Sequence, residues 1–318
     1  MSKDLLKYIL KRILLTVLTL LIIITITFIL MHAVPSSPFV SEKAIAQVTM
    51  DALNKKYGLD KPLIEQYFIY LGNVARFDFG QSIKYEGRTV IELVSQGFLT
   101  SAFIGLCGAV LAIIFGIALG SIAAVNRGKF IDQLILVLST ASVALPSFVA
   151  AVIMLWCLTV YVPIFPTSAQ SIVQIGSGNF NFAGYILPIV ALAVYPTAYI
   201  TRLTRSSMLD TLGQDYIRTA RAKGVSNFRV ISKHSLKNSV APVISYSGPM
   251  IAYIMTGSFV VERIFSVPGV GDYFINSIQT LDYTMIMGTT ILLSVLMLTL
   301  NLIADILYKV IDPRVDLG

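Results

Sequence analysis

The residues of this sequence that could carry out chemistry are few, and the first candidates are acidic. The run Gly269–Asp272 spells GxGD, a signature of intramembrane aspartyl proteases, and Asp305 could be offered as the second carboxylate. Such a pair must share a proton across a few ångströms. Asp272 follows Pro268 in a predicted loop, whereas Asp305 lies near the far end of a predicted helix of about 20 residues, roughly 30 Å away. The pattern therefore does not predict a protease.

A nucleotide-binding loop is also missing from the sequence. Such a loop has the pattern GxxxxGK[ST], whose backbone amides and lysine hold the phosphates. The only Gly-Lys pair, Gly128-Lys129, is followed by Phe130 and has Ala123 where the first glycine would stand. We therefore expect that this chain does not hydrolyse ATP and is not an enzyme.

Histidine and cysteine are too sparse to predict a metal site. His32 and His234 are the only histidines, and Cys107 and Cys157 both lie inside apolar runs. Their spacing fits neither a metal site nor a disulfide framework. We predict buried structural cysteines, and no metal, catalytic residue or cofactor in this chain.

The largest polar stretch in the C-terminal two-thirds of the sequence, residues 202–238, is strongly basic. Its positive charge nearly equals the net charge of +7 of the whole chain. Gly224 is a natural left-handed stop for a first helix, and Ser226 is a good N-cap for a second helix that carries Phe228 and Val230. We therefore predict a short basic helical hairpin. Its lysines and arginines are Arg202, Arg205, Arg218, Arg221, Lys223, Arg229, Lys233 and Lys237.

This stretch resembles the cytoplasmic EAA loop of permease subunits of bacterial ATP-binding cassette importers. In the general pattern, Glu-Ala-Ala is followed by three residues and Gly, and Ala220 and Gly224 match it. Arg218 stands in the place of the Glu and Thr219 in that of the first Ala, the form that peptide permeases usually carry. The chain is most similar to the B-type subunit of the oligopeptide, dipeptide and nickel permease branch, over nearly its whole length. Further matching segments are Leu6–Pro38, Lys56–Pro62, Phe77–Ser82, Glu262–Phe274 and Ile311–Arg314.

The resemblance implies a function and a set of partners. It implies a transmembrane permease subunit that forms half of a translocation pathway for peptides. The implied partners are a second homologous permease subunit, two ATP-binding cassette ATPase subunits that bind ATP and Mg²⁺, and an extracytoplasmic substrate-binding lipoprotein or periplasmic protein. The loop 214–236 would dock into a groove of an ATPase subunit. The predicted coupling residues are Asp215, Tyr216, Arg218, Thr219, Ala220, Arg221, Ala222, Lys223 and Gly224.

Composition and hydropathy predict an all-α polytopic membrane protein. Of its 318 residues, 56% are hydrophobic and 13% charged, and mean hydropathy is +0.78, values outside the range of ordinary soluble domains. Because the basic residues border hydrophobic spans and lack aromatic stacking platforms, we expect contact with membrane lipid and not with nucleic acid. The apolar runs predict six transmembrane helices, at about 9–31, 98–125, 133–160, 183–201, 239–261 and 285–308.

The distribution of basic residues predicts the orientation of these spans. Most lysines and arginines fall in the N-terminus, the turn 126–129 and the loop 202–238. The positive-inside rule therefore places this loop and both termini in the cytoplasm. Together with the resemblance, this predicts a single permease domain over residues 1–318, with the type I importer permease fold, in the bacterial cytoplasmic membrane.

Prolines and polar residues inside the spans indicate where a pathway would run. Pro146 lies in mid-span among hydroxyl residues, so its helix is predicted to be kinked and to face the bundle. The fifth span, 239–261, is the most polar. The alternative is that these residues serve packing between helices. The candidate pathway residues are Ser142, Pro146, Ser245, Tyr246 and Tyr253.

The second predicted span is rich in glycine. Small residues let neighbouring helices approach closely where lipid supplies no hydrophobic driving force. We therefore predict close helix packing at Gly105, Gly108, Gly116 and Gly120.

Two regions are predicted outside the membrane. The segment 41–97 is predicted to contain one helix capped by Ser41 and closed by Gly58, and a second that Pro62 opens. This segment either packs as a cap on the outer mouth or docks a substrate-delivery protein. By resemblance, a re-entrant or capping turn at the outer mouth is formed by Pro268, Gly269 and Gly271.

The placement of acidic residues weighs against the main rival class, a secondary carrier that acts alone. A proton-driven carrier needs buried acids in mid-span, where a carboxylate is costly. Glu262 is placed at an outer span end with Arg263 as a local ion-pair partner, and Asp305 lies close to Lys309. A membrane enzyme would need reactive groups at one depth. The sequence leaves open whether the cargo is peptide, nickel chelate or another small solute.

Overall fold

The structure is a computed structural model that describes residues 3–33, 60–166, 182–256 and 258–311. The described part of the chain is all-α, as predicted, apart from an isolated bridge between Gln81 and Thr89. Two π-helical segments, Trp156–Tyr161 and Val230–Leu236, follow α5 and α8. The helices are α1 Lys3–Ala33, α2 Leu63–Ala75, α3 Val90–Val125, α4 Phe130–Ala144, α5 Ser147–Leu155, α6 Ala183–Leu212, α7 Asp215–Ala222, α8 Asn227–Arg229, α9 Lys237–Ser239, α10 Ala241–Met255, α11 Phe259–Ile264, α12 Val270–Gln279 and α13 Tyr283–Ile311.

Several of these helices are long and apolar enough to cross a membrane. Among the described residues these are four helices and one bent pair. The predicted fifth span, 239–261, corresponds to α10, a helix of 15 residues, and to part of α11. The membrane limits of the spans and their number, six, stay predictions. The helices that qualify are Ile9–Ala33, Val90–Val125, Ala183–Leu212 and Tyr283–Ile303, and the bent pair is Phe130–Ala144 with Ser147–Tyr161.

The helices α3 and α6 form the most extensive packing contact of the bundle. A Cβ atom built on Gly116 would lie 2.6 Å from the Cβ of Ile200, and one on Gly120 would lie 2.6 Å from the backbone oxygen of Thr201. Gly105 approaches α10 in the same way, with the Ile254 oxygen at 2.7 Å. The prediction of close packing at these glycines is confirmed.

The helix α6 is longer than the predicted fourth span, 183–201. It runs on to Leu212 although Pro188 and Pro196 lie inside it. The charges of Arg202 and Arg205 predicted a loop here, but Met208 is fully buried on the same helical segment. One helix face with the buried residues Thr204, Met208 and Thr211 thus continues into the first part of the predicted basic loop.

The third predicted span is broken rather than kinked. Leu145 leaves helical geometry with φ −79° and ψ 126°, as expected for a residue that precedes a proline. The axes of α4 and of the helical segment after Pro146 differ by 103°. At the break the Leu145 amide still donates to the Ala141 oxygen at 3.0 Å, and the Pro146 oxygen accepts from the amides of Val149 and Ala150. The helical hydrogen bonds of the two sides therefore end and begin at this dipeptide.

The predicted segment 41–97 is described from residue 60 onward. The helix predicted after Pro62 is confirmed as α2, which meets α1 where the Tyr67 and Thr25 hydroxyls lie 2.7 Å apart. The helix predicted after Ser41 lies outside the described residues. The next helix begins at Val90 and not at 98, because Thr89 accepts a capping hydrogen bond from the backbone of Glu92.

A buried carboxylate ties the segment before α3 to the start of α13. Asp282 is 1% exposed and accepts hydrogen bonds from the Ser82 hydroxyl and from the backbone amides of Lys84 at 3.1 Å and Met285 at 3.0 Å. Residues about 200 positions apart in sequence are thereby held together.

Candidate translocation cavity and coupling hairpin

A cavity of about 640 Å³ opens beside the break between α4 and α5. Its other walls come from α6 and α10, and the described residues that line it carry no charged side chain. Such a surface offers aromatic rings and few hydroxyls, so it can accommodate a solute without a fixed ion pair. The lining residues are Val143, Ala144, Leu145, Pro146, Ser147, Ala191, Leu192, Tyr195, Pro196, Tyr246, Pro249, Met250, Tyr253, Ile254 and Ser258.

Tyrosines supply much of the polar character of this cavity. The rings of Tyr199 and Tyr246 stack with their centroids 4.3 Å apart, joining α6 to α10. Tyr195 lies one helical turn before Tyr199 and lines the cavity, and Tyr253 is 69% exposed. Rings from two helices therefore face a common space.

The structure brings together three of the five candidate pathway residues. Pro146, Tyr246 and Tyr253 line the cavity. Ser142 lines a separate apolar groove, and its hydroxyl donates to the Leu138 oxygen of its own helix at 2.9 Å. The Ser245 hydroxyl likewise donates to its own helix, to the Ala241 oxygen at 3.1 Å.

Sequence reasoning missed Tyr195 and Pro249 in the cavity wall. A signal for both was present in the helical spacing. Tyr195 precedes Tyr199 by four residues, and Pro249 lies between Tyr246 and Tyr253 at intervals of three and four, so each set shares one helix face.

The basic hairpin is formed by α7 and the helical segments that follow it. Gly224 has φ +75°, which confirms the predicted left-handed stop after Lys223. Ser226 is the N-cap of α8 by position, although its side chain makes no capping hydrogen bond. Asn238 Nδ2 donates to the Tyr216 hydroxyl at 3.0 Å and links the two arms of the hairpin.

Most of the predicted coupling residues lie on an exposed surface. Ile217, which is fully buried, anchors α7, while Ala220 is half-buried. The Arg218–Asp215 ion pair is long, at 3.5 Å, and solvated, so it contributes little to stability. The exposed members are Asp215, Tyr216, Arg218, Thr219, Arg221, Ala222, Lys223 and Gly224.

The two apolar residues Phe228 and Val230 of the second hairpin segment differ in burial. Val230 is fully buried, but the Phe228 side chain is 79% exposed. The basic surface therefore carries a prominent apolar group.

The predicted outer-mouth turn connects α11 to α12. Glu262 Oε2 accepts a hydrogen bond from the Gly271 amide at 2.8 Å, and Ser101 Oγ accepts one from the Val270 amide at 3.0 Å. A Cβ atom on Gly271 would lie 2.6 Å from the Phe259 backbone, and one on Gly269 would overlap the Glu262 carboxylate. Pro268, Gly269 and Gly271 thus form a close-packed cap on α12.

The expected ion pair between Glu262 and Arg263 is wrong. Consecutive residues of a helix point in different directions, so Arg263 does not face Glu262. Arg263 Nη1 instead binds Asp272 Oδ1 at 2.8 Å. Glu262 is fully buried, and this burial raises the pKa of its carboxyl group to about 7. The carboxyl group serves the turn rather than its sequence neighbour.

The structure gives the surroundings of His32 and of the two cysteines. Within the described segments, no group of three or more His, Cys, Asp or Glu could hold a metal ion. Cys107 and Cys157 are unbonded and half-buried rather than buried. His32 contacts Gln66 Oε1 at 3.0 Å, between α1 and α2.

Long apolar helices around an uncharged cavity, with a basic hairpin beyond them, define a polytopic membrane permease. Comparison with known sequences gives the family. Residues 116–317 match the family described as binding-protein-dependent transport system inner membrane component, and residues 5–89 match its N-terminal membrane component. The chain belongs to this family. It is therefore a multi-pass protein of the cytoplasmic membrane that works with other transporter subunits.

Several curated proteins are similar to the chain over nearly their full length. It is 41% identical to the dipeptide transport system permease protein of Bacillus subtilis, with 98% of each chain covered. It is 39% identical to the oligopeptide transport system permease proteins of Haemophilus influenzae and Escherichia coli, with 98% of this chain and 99% of each relative covered.

Proposed function

We propose that the chain is the permease subunit of an ATP-driven peptide importer and forms half of its translocation pathway. The names of the relatives support peptide as the cargo. The cavity supports it as well, because a passage lined by tyrosines, with no charged side chain among its described lining residues, suits peptides of differing side-chain charge. A nickel or other small-solute permease is the alternative within the same family.

The observation that carries this proposal is the continuity of α6. One unbroken helix supplies Tyr195 to the cavity wall and continues to Leu212, three residues before the hairpin helix α7 begins at Asp215. Force applied to the hairpin would therefore reach the cavity through a rigid element.

The proposed assembly contains a second homologous permease subunit, two ATPase subunits and an external substrate-binding protein. ATP and Mg²⁺ would be bound by the ATPases and not by this chain. The hairpin residues 214–236 would fit into a groove of an ATPase, with Arg218, Arg221 and Lys223 setting the polar register.

In the proposed cycle, closure of the ATPases on ATP carries the hairpin with it, and the helices around the cavity rock as rigid segments. The cavity would then open toward the outside. A nearly complete switch between two states requires about 5.5 kcal/mol of differential binding, which ATP binding in the partner subunits would supply.

The proposed topology has six spans with both termini and the hairpin in the cytoplasm. Labelling of a cysteine introduced at Arg221 tests it, in a background where Cys107 and Cys157 are replaced by alanine. We expect a membrane-impermeant reagent to react in inside-out vesicles and not in intact cells. Reaction in intact cells would refute the topology.

Replacement of Gly224 tests the coupling role. Gly224→Val places a β-branched residue at φ +75°, where such residues are strained, and nothing lies within 4 Å of the added Cβ. We expect a loss of ATPase binding and of peptide uptake. Gly87→Val, which alters a turn of the same geometry, φ +75°, before α3, is the matched control for ATPase binding.

The outcomes separate the proposal from its alternatives. Normal assembly and uptake by Gly224→Val would remove the hairpin from the mechanism. Uphill uptake by the isolated chain, reconstituted without an ATPase, would indicate a secondary carrier. Uptake of a nickel chelate but not of peptides by the complete transporter would identify the other branch of the family.

A further inference from the structure

A partly buried ion pair joins α4 to α6 near the hairpin end of α6. Asp132 lies in the first turn of α4 and is 2% exposed. Arg205 Nε donates to Asp132 Oδ1 at 2.6 Å, and Arg205 Nη2 donates to Oδ2 at 2.8 Å. The Gly128 amide donates to Oδ2 as well, at 2.9 Å. The carboxylate is thus held by α6 and by the turn that precedes α4.

The position of this pair links two parts of the site. Arg205 lies on α6 between the cavity residue Tyr195 and the hairpin. Asp132 lies at the start of α4, whose other end, at Leu145, lines the cavity beside the break. The distance along α4 from Asp132 to Leu145 is about 20 Å at about 1.5 Å per residue.

The geometry of the pair is suited to transmit movement. A bidentate arginine–carboxylate pair restricts orientation as well as distance, and a partly buried pair is screened by salt much less than an exposed one. In contrast, the Ser142 hydroxyl of α4 bonds only within its own helix among the described contacts. The ion pair is therefore a specific polar link between the two helices.

We propose that the Asp132–Arg205 pair makes α4 follow α6, so that movement of the hairpin changes the α4–α5 break and the cavity together. The two residues are positioning residues and do not touch the cargo. The inference rests on the proposed function, since it assumes that the hairpin receives force from an ATPase. The inference adds the path by which that force reaches the cavity wall formed by α4 and α5.

A purely structural role for the pair predicts a different result. Loss of a structural anchor would lower the amount of assembled transporter, and uptake and ATP hydrolysis would fall in the same proportion. Loss of the proposed link would lower the number of peptides taken up per ATP hydrolysed in the transporter that does assemble.

The test uses the complete transporter in proteoliposomes, with uptake of a labelled peptide and ATP hydrolysis measured in one preparation. Asp132→Asn removes the charge and one side of the pair. Arg205→Lys keeps a positive charge beside the buried carboxylate but loses the bidentate hydrogen bonding of the guanidinium group. Glu92→Gln breaks the exposed Arg88–Glu92 pair of 2.9 Å and is the matched control.

We expect Asp132→Asn to lower uptake per ATP at least about fivefold, the lower end of typical coupling effects. Arg205→Lys should give an intermediate ratio, and Glu92→Gln the wild-type ratio. A wild-type ratio in Asp132→Asn would overturn the proposal. Failure of both Asp132→Asn and Arg205→Lys to assemble would show that the pair serves folding, and would overturn it as well.

The wild-type transporter distinguishes failure of this inference from failure of the proposed function. If the wild type shows no ATP-dependent peptide uptake, the proposed function is refuted. The inference about the Asp132–Arg205 pair, which rests on that function, is then refuted with it. If the wild type transports and Asp132→Asn keeps the wild-type ratio, only the inference about the ion pair is refuted.

Discussion

Substitution of Gly120 by alanine tests the close packing of α3 on α6. A Cβ atom at this position would lie 2.6 Å from the backbone oxygen of Thr201, and the two helices would have to separate until this distance reached at least 3.4 Å. Backbone cannot move aside as a flexible side chain can. Overpacking of this kind costs about 1–3 kcal/mol, and alanine regains about 1 kcal/mol of helix propensity over glycine.

The matched control for this substitution is Gly72→Ala on α2. An added Cβ there has nothing within 4 Å, so this variant gains the helix propensity without the clash. The propensity gain cancels in the comparison, and the difference of about 1–3 kcal/mol reports packing alone. Purified protein in lipid nanodiscs should therefore unfold at a temperature roughly 2 to 12 °C lower for Gly120→Ala than for Gly72→Ala. Equal unfolding temperatures would refute the packing argument.

Three further predictions follow from the buried and exposed polar groups. Because burial raises the pKa of Glu262 from 4.5 to about 7, its neutral form is favoured in the fold, and stability should fall by about 3 kcal/mol as pH rises from below 4.5 to above 7. In a pH series, the unfolding temperature of the wild type should therefore fall relative to that of Glu262→Gln as pH rises; a difference that stays constant with pH would contradict this prediction. Asp282→Ala leaves buried donors without an acceptor, at about 1–3 kcal/mol each, so an unchanged unfolding temperature would count against that network. Tyr253→Ala should change peptide uptake per ATP at unchanged stability, whereas Ser142→Ala should not; equal effects would argue against the cavity as the pathway.

The features that the sequence could predict are those set by the type of residue at a single position. Gly224 stops α7 because glycine adopts positive φ without strain. Pro62 opens α2, and Pro146 interrupts its span, because proline lacks an amide proton and restricts the residue before it. The glycines of α3 predicted close packing since no other residue lets two helices approach so closely. Each of these signals is independent of how the rest of the chain folds.

The features that sequence could not predict depend on contacts between distant residues. Arg205 pairs with Asp132, 73 positions away, so a count of local charges placed it in a loop. The same count missed that Met208 is buried and continues α6. Ser142 and Ser245 were chosen by residue type, whereas membership of the cavity depends on the direction in which each helix faces.

The contrast between α6 and the α4–α5 pair shows what decides whether a proline breaks a helix here. Pro188 and Pro196 lie inside α6, which stays unbroken, whereas Pro146 coincides with a bend of 103°. The backbone of α6 is held against glycines of α3 on both sides of Pro196, with a Cβ atom on Gly108 meeting the Ile189 oxygen at 3.2 Å and one on Gly116 meeting the Thr197 oxygen at 3.2 Å.

Beside Pro146, by contrast, Leu145 is 45% exposed, and both residues line the cavity. Close packing on α3 before and after Pro196 therefore supports the continuity of α6 past this proline. The cavity therefore lies between the continuous helix α6 and the interrupted α4–α5 pair. Both α4 and α5 also pack directly on α6. The Asp132–Arg205 pair adds to this packing a polar link of fixed orientation, through which movement of α6 would reach the break at Pro146.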